Sequence, residues 1–190
     1  MLSELVKNCR TVRRFRESET IEAATLRGLV DLARLSASGG NQQPLKFLLS
    51  NTPEMNERIF PSLAWAAALK DWAGPAAGER PAAYIVILGD KDVSKGFGVD
   101  HGIAAQSIML GAMEKGVAGC MIGSIQRDKL RQSLNIPERF DILLVLALGK
   151  PAETVRVEPL PPDGSTKYWR DAHGVHHVPK RALNDLIVTF

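Results

Sequence analysis

The sequence predicts an α+β fold of about four strands with helices packed around them. Three observations carry this expectation. Two unbroken apolar runs of strand length, 83–88 and 142–148, are each closed by breakers, Gly89-Asp90 and Gly149-Lys150-Pro151. Apolar runs of this length suit strands buried on both faces. Between them, residues 100–115 carry small and apolar side chains around nearly the whole circumference of a helix capped by Asp100, which places that helix in the core or at a subunit interface. Finally, residues 20–35 put Ile21, Leu26, Leu29, Val30, Ala33 and Leu35 on a helical face, with Thr20 or Thr25 as its cap.

The remaining elements follow in order. Residues 2–9 suit a short helix, and the polar run 36–44 breaks the chain after the second helix. Residues 45–50 read as a strand, and Asn51-Thr52-Pro53 opens a helix reaching about Phe60, with proline in its first turn. The stretch 61–81 divides between short helix and loop; Trp65 and Trp72, seven apart, suit one helix face in the core or an interface. Residues 117–122 form a strand and 127–134 a helix. Beyond Ala152 come prolines at 159, 161, 162 and 179, a loop around Asp163-Gly164-Ser165, a last short helix at 182–186 and an apolar end, 187–190, which a partner subunit could bury.

At 190 residues the chain supports one sizeable core, so a single domain over 1–190 is expected. Hydrophobic residues at 45% and charged residues at 24% exclude a disordered chain. The net charge of +3, with both signs interspersed, excludes an extended nucleic-acid-binding stripe. No signal-peptide pattern and no apolar run of about 18 residues is present, which predicts a cytoplasmic protein without membrane partners. Cys9 and Cys120 lack C-x-x-C spacing and read as two reduced thiols.

Two segments carry chemistry. Arg10-Thr11-Val12-Arg13-Arg14-Phe15 reads as an anion clamp, because guanidinium groups offer planar paired donors to phosphate and a neighbouring hydroxyl adds another. Ser38-Gly39-Gly40-Asn41-Gln42-Gln43-Pro44 reads as a polar cradle in which glycines let the backbone approach a flat ligand closely. Each has a plainer reading, a solvated basic turn and a helix-to-strand loop. Other sites are not supported. Gly96-Phe97-Gly98 has His101 where a dinucleotide fingerprint needs its third glycine. His173, His176, His177 and Asp171 lie in an expected extended loop without a cysteine, so no metal is assigned. Cys9 reads as a packed thiol rather than an activated one.

Taken in order, the segments resemble the nitroreductase family of FMN-dependent oxidoreductases. The pattern Arg-Ser-x-Arg-x-Phe is similar to Arg10-Thr11-Val12-Arg13-Arg14-Phe15, with the hydroxyl retained in threonine. The pattern Ala-Pro-Ser-x-x-Asn-x-Gln-Pro-aromatic is similar to Ser36-Ala37-Ser38-Gly39-Gly40-Asn41-Gln42-Gln43-Pro44-Leu45. The helix opening at Asp100, the following Gly116-to-Gly123 segment and Leu148-Gly149-Lys150-Pro151 resemble the family's central helix, next strand and Gly-Tyr-Pro turn. The resemblance implies a central, mostly antiparallel sheet of four to five strands surrounded by helices, in a homodimer. It implies FMN as cofactor and NADH or NADPH as reductant, with hydride passing through the flavin to a nitroaromatic, quinone or related small-molecule acceptor.

Carried over by position, Arg10, Thr11, Val12 and Arg13 would hold the phosphate and ribityl end, and Ser38, Gly39, Gly40 and Asn41 would complete the pocket from the opposite subunit. Ile122, Gly123 and Ser124 would pass the isoalloxazine ring, and Arg181 would return to the phosphate. No side chain is assigned a catalytic role, since the flavin carries the chemistry. Two alternatives stand beside this reading: a flavoprotein of the same fold that dehalogenates or processes flavin, and a basic module that binds nucleic acid through Arg10, Arg13 and Arg14.

Overall fold

All eight residues of strand β2 (Ala83–Asp90) are buried, the consequence of an apolar run that leaves neither face for water. The computed structural model describes residues 1–69 and 71–189. Within it, β2 pairs with β1 (Leu45–Ser50) on one side and β4 (Phe140–Gly149) on the other, and β4 pairs with β3 (Ala118–Ile122). The four-stranded sheet has the order β1-β2-β4-β3 and is antiparallel at every pairing.

Alternation along the strands decides which layer each side chain meets. On one face, Ile85, Ile87, Leu146 and Leu148 pack against Leu26 and Leu29 of α2 (Ala23–Arg34) and Ile108 and Met109 of α4 (Asp100–Glu114). On the other, Tyr84, Val86, Val145 and Ala147 meet Ile59 of α3 (Pro53–Ile59) and Leu130 of α5 (Arg127–Leu134). Ile87 pairs with Leu144 while Leu88 pairs with Ile142, so Leu143 is an extra residue in β4. That bulge lets Ile142 and Val145, three apart, share one face. A fully buried aliphatic side chain contributes about 1.5–3 kcal/mol, so this sheet, with helices on both faces, is the frame that positions the exposed segments.

Several element boundaries differ from the sequence reading. Helix α1 (Leu2–Asn8) has no buried residue. Helix α2 starts at Ala23 after Glu22, so neither Thr20 nor Thr25 is its cap. Thr52 caps α3 as its sequence suggests, its side chain accepting the Met55 N–H at 3.3 Å. Asp100 is the first residue of α4 rather than its cap, which is Val99.

Trp65 and Trp72 do not share a helix. After a 3-10 turn at Phe60–Ser62, Leu63 bridges to Ile125 and the described part of 64–81 runs in turns and loops. Both indoles still pack into the core layer beside α3 and α5. Lys70 lies outside the described residues.

The tail contains a sheet that the sequence reading missed. Strand β5 (Val155–Pro159) runs parallel to β7 (His176–Lys180), and β6 (Trp169–Arg170) pairs antiparallel with β7. Residues 176–180 are therefore a strand, not loop. The short helix expected near 182–186 is a 3-10 turn at Leu183–Asp185. Of the apolar end, Ile187 and Val188 are exposed and Phe190 lies outside the described residues. No helix among the described residues is long and apolar enough to cross a membrane.

Candidate functional site

The basic segment docks along β3 and the end of β4 through isolated bridges. Thr11 bridges to Gly119 in parallel, the Val12 N–H donates to the Gly119 carbonyl at 2.9 Å, and Phe15 bridges to Pro151. Alternation turns Val12 inward, where it packs with Phe15 and Ala118, and leaves Thr11 and Arg13 outward. Phe15 is fully buried. A Cβ at Gly149 would stand 2.8 Å from its ring, so the glycine ending β4 is the space into which this phenylalanine locks the segment.

Arg10, Thr11 and Arg13 line one cleft of about 340 Å³, together with Gln106, Met109 and Met121 on one side and Tyr168, His176 and Lys180 on the other. The Arg13 guanidinium lies over the Tyr168 ring at 4.7 Å and its Nη1 donates to His176 Nε2 at 3.3 Å. Burial holds His176 below the ordinary imidazole range, with Arg13 and Arg170 adding to the effect and Glu153 opposing it, so its neutral Nε2 is free to accept. Three nitrogens among the described residues are buried without a partner here: Arg10 Nε, Arg13 Nε and His176 Nδ1.

The other arginines are already neutralised. Arg14 forms a two-point pair with Glu79, with Nε to Oε2 at 2.8 Å, and Arg16 pairs with Glu19 at 3.0 Å. The cluster therefore offers two guanidinium groups to one cleft rather than a continuous basic stripe. Cys9 reaches the same cleft, but burial raises its thiol pKa more than Arg10 lowers it, which favours the protonated thiol.

Ser38 lies in a different cleft, of about 230 Å³, between the end of α2, β1 and the start of α4. The Ser38 hydroxyl donates to Asp100 at 2.6 Å and the Gly39 N–H to the other carboxylate oxygen at 2.9 Å. Gly40 and Asn41 follow with φ of 56° and 54°, a left-handed turn that holds both residues exposed. Ile122 is buried at the end of β3, while Gly123 and Ser124 are exposed just past it. Arg181 is exposed one residue beyond Lys180, and it is Lys180 that stands in the first cleft. One chain thus brings together Arg10, Thr11 and Arg13, and holds Ser38, Gly39, Gly40 and Asn41 apart from them.

A sequence profile described as the nitroreductase family matches residues 6–150, most of the chain and all of the central sheet. The chain belongs to the nitroreductase family. A relative of this nitroreductase-family chain in Methanothermobacter thermautotrophicus is 29% identical over 157 residues, covers 79% of this chain and 77% of its own, and carries the provisional name NADH dehydrogenase/NAD(P)H nitroreductase. A nitroreductase family structure from Clostridium novyi NT superposes with a TM-score of 0.67 at 22% identity, over 80% of this chain and 86% of that one. A structure from Exiguobacterium sibiricum in complex with FMN superposes with a TM-score of 0.66 at 18% identity, over 80% and 89% of the two chains. At these identities the structures bear on the fold, which they share with this chain.

Four residues in or beside the first cleft escaped sequence reasoning: Glu153, Tyr168, His176 and Lys180. All four lie in the tail, beyond the residues the family profile matches. Their only sequence signal is that aromatic and basic residues recur where prolines suggest loop. The tail is held in shape by His177, whose Nδ1 lies 2.8 Å from Glu158 and whose Nε2 lies 3.2 Å from Asp171, with the Trp169 ring stacked on it at 4.1 Å. Ionised carboxylates only accept, so both imidazole nitrogens carry protons in this arrangement.

The His177 pKa is accordingly raised, chiefly by its bond to Glu158, and both carboxylates are lowered by their bonds to His177. The histidine's contribution to stability is complete below the ordinary imidazole value of 6.5 and is lost as pH rises through its raised native value. The carboxylates contribute above their ordinary range and lose that contribution as pH falls through their lowered native values. An NMR titration of the His177 ring is expected to give a midpoint above 6.5, whereas a midpoint at or below it would remove this brace.

Proposed function

We propose that the chain is an FMN-dependent oxidoreductase that takes reducing equivalents from NADH or NADPH and delivers them to a nitroaromatic, quinone or related acceptor. The observation that carries the reading is the convergence of Arg10, Arg13 and Lys180 on one cleft beside the motif-bearing segment. Two guanidinium groups lining one cleft suit a phosphate monoester, whose oxygens accept several charge-assisted bonds at once. The FMN complex of a protein sharing the fold supports the same cofactor.

Bound FMN would supply hydride acceptance from the nicotinamide and hydride delivery to the acceptor. The chain's own residues bind and orient. Arg10 and Arg13 hold the phosphate, Lys180 adds a third positive charge, and Thr11 lies along the ribityl chain. Met109 and Met121 give the cleft an apolar, polarisable wall. Ile122, Gly123 and Ser124 continue from Met121 and carry the ring edge past it. No side chain needs to act as nucleophile.

The reading includes a homodimer. Leu2 and Val6 of α1, Leu32 and Leu35 at the end of α2, and Val99 and Ile103 at the start of α4 are exposed apolar residues on helices that pack on one another. In a dimer that covers them, Ser38, Gly39, Gly40 and Asn41 reach the partner's cleft and exclude water from the ring. The single-domain organisation over 1–190 and a cytoplasmic setting belong to this same proposal.

Protein incubated with FMN and dialysed is expected to retain about one flavin per chain. Anaerobic NADH or NADPH should bleach its visible absorption, and a nitroaromatic or quinone should restore it. A colourless protein, or a bound flavin that neither nicotinamide reduces, overturns the reading.

A further inference from the structure

We infer that Glu153 is a positioning residue for the proposed phosphate clamp, an inference that rests on the FMN reading. Its side chain is 1% exposed. One carboxylate oxygen accepts the backbone N–H of Arg13 at 2.5 Å and that of Arg14 at 3.2 Å, and the other accepts Arg170 Nη2 at 2.7 Å. Burying a carboxylate is costly unless its oxygens are satisfied, and here every donor comes from the clamp segment or the tail sheet.

Those contacts have one geometric effect. Arg170 pairs in register with His176, the residue that receives the Arg13 guanidinium. Glu153 therefore fixes the main chain of Arg13 to the same small sheet that fixes its side chain. The packing of Arg170 over the Trp72 ring at 4.9 Å ties that sheet back to the core. With both ends of Arg13 referenced to one rigid element, its guanidinium is held in place before a phosphate arrives. Binding then loses little side-chain freedom.

Glu153→Gln keeps the size of the side chain but sets an amide N–H₂ against the Arg170 donors and weakens the bond to Arg13 N–H. Riboflavin, which lacks the phosphate, separates positioning of the clamp from general loosening of the cleft. The full-length variant, checked for folding by circular dichroism, is titrated with FMN and with riboflavin. FMN dissociation constants are expected to rise about tenfold or more, with riboflavin changing by less than about twofold.

Arg13→Ala combined with Glu153→Gln should weaken FMN binding no further than Arg13→Ala does, because the glutamate acts through that arginine. If Glu153→Gln does not fold, Glu153→Asp, which withdraws the carboxylate from the two N–H groups, is expected to show the same phosphate-specific loss. Equal weakening of both ligands, or of neither, overturns the role of Glu153 while wild-type FMN binding upholds the cofactor reading. A wild type that takes up no FMN overturns both.

Discussion

Replacing Arg13 with alanine is expected to weaken FMN binding by one to two orders of magnitude, the about 1.5–3 kcal/mol carried by a charge-assisted hydrogen bond. The guanidinium is half-buried, stacked on Tyr168 and bonded to His176, so its position is already constrained in the free protein. A phosphate meeting it there gains a bond without paying for side-chain ordering. Removing it also strands His176 Nε2 beside the already unpartnered Nδ1. Arg13→Lys should recover only part of the loss, since an ammonium keeps the charge but cannot reproduce the planar fork or the ring stacking. Quenching of flavin fluorescence on titration measures both variants; an unchanged dissociation constant in Arg13→Ala would remove Arg13 from the clamp.

Gly119→Val is expected to lower stability by about 3 kcal/mol, and Tm by roughly 6–12 °C. A Cβ at Gly119 would come 2.5 Å from the Ala147 carbonyl oxygen and 2.8 Å from Leu148 Cδ2, within the β3–β4 pairing. Backbone in a sheet cannot withdraw as a flexible side-chain tip can. Gly119 also receives Val12 and bridges Thr11, so displacing β3 shifts the clamp as well as the core. The control is Gly123→Ala, where an added Cβ meets nothing within 4 Å and stability should stay within about 0.5 kcal/mol. A thermal melt in which Gly119→Val matches that control would contradict the close approach.

The central strands were readable because burial on both faces leaves a continuous apolar signal, as in 83–88 and 142–148. The tail sheet was not. Strand β6 has two residues, β5 and β7 carry prolines, and their pairing joins residues about twenty apart through a loop, so no local period announces them. Trp65 and Trp72 show the same limit, since a spacing of seven is compatible with a helix yet both rings reach the core from turns.

In the site, Arg10, Thr11 and Arg13 were legible as a motif, and the three line one cleft. Val12 belongs to that motif for a different reason, as the buried residue whose backbone docks on Gly119. Whether a charge is available to a ligand was not legible. Arg14 and Arg16 look like Arg10 and Arg13 in the sequence, and only their pairing with Glu79 and Glu19 separates them.

The order of residues was enough to assign the family, the two central buried strands and the basic segment, because those depend on continuous local apolar runs and on short motifs. The availability of each arginine depended instead on partners far along the chain. Glu153 stands 140 positions from Arg13, and His176 stands 163. Such contacts arise from the folding of the tail over the sheet edge, where burial turns a long-range encounter between charged or polar groups into a fixed geometry.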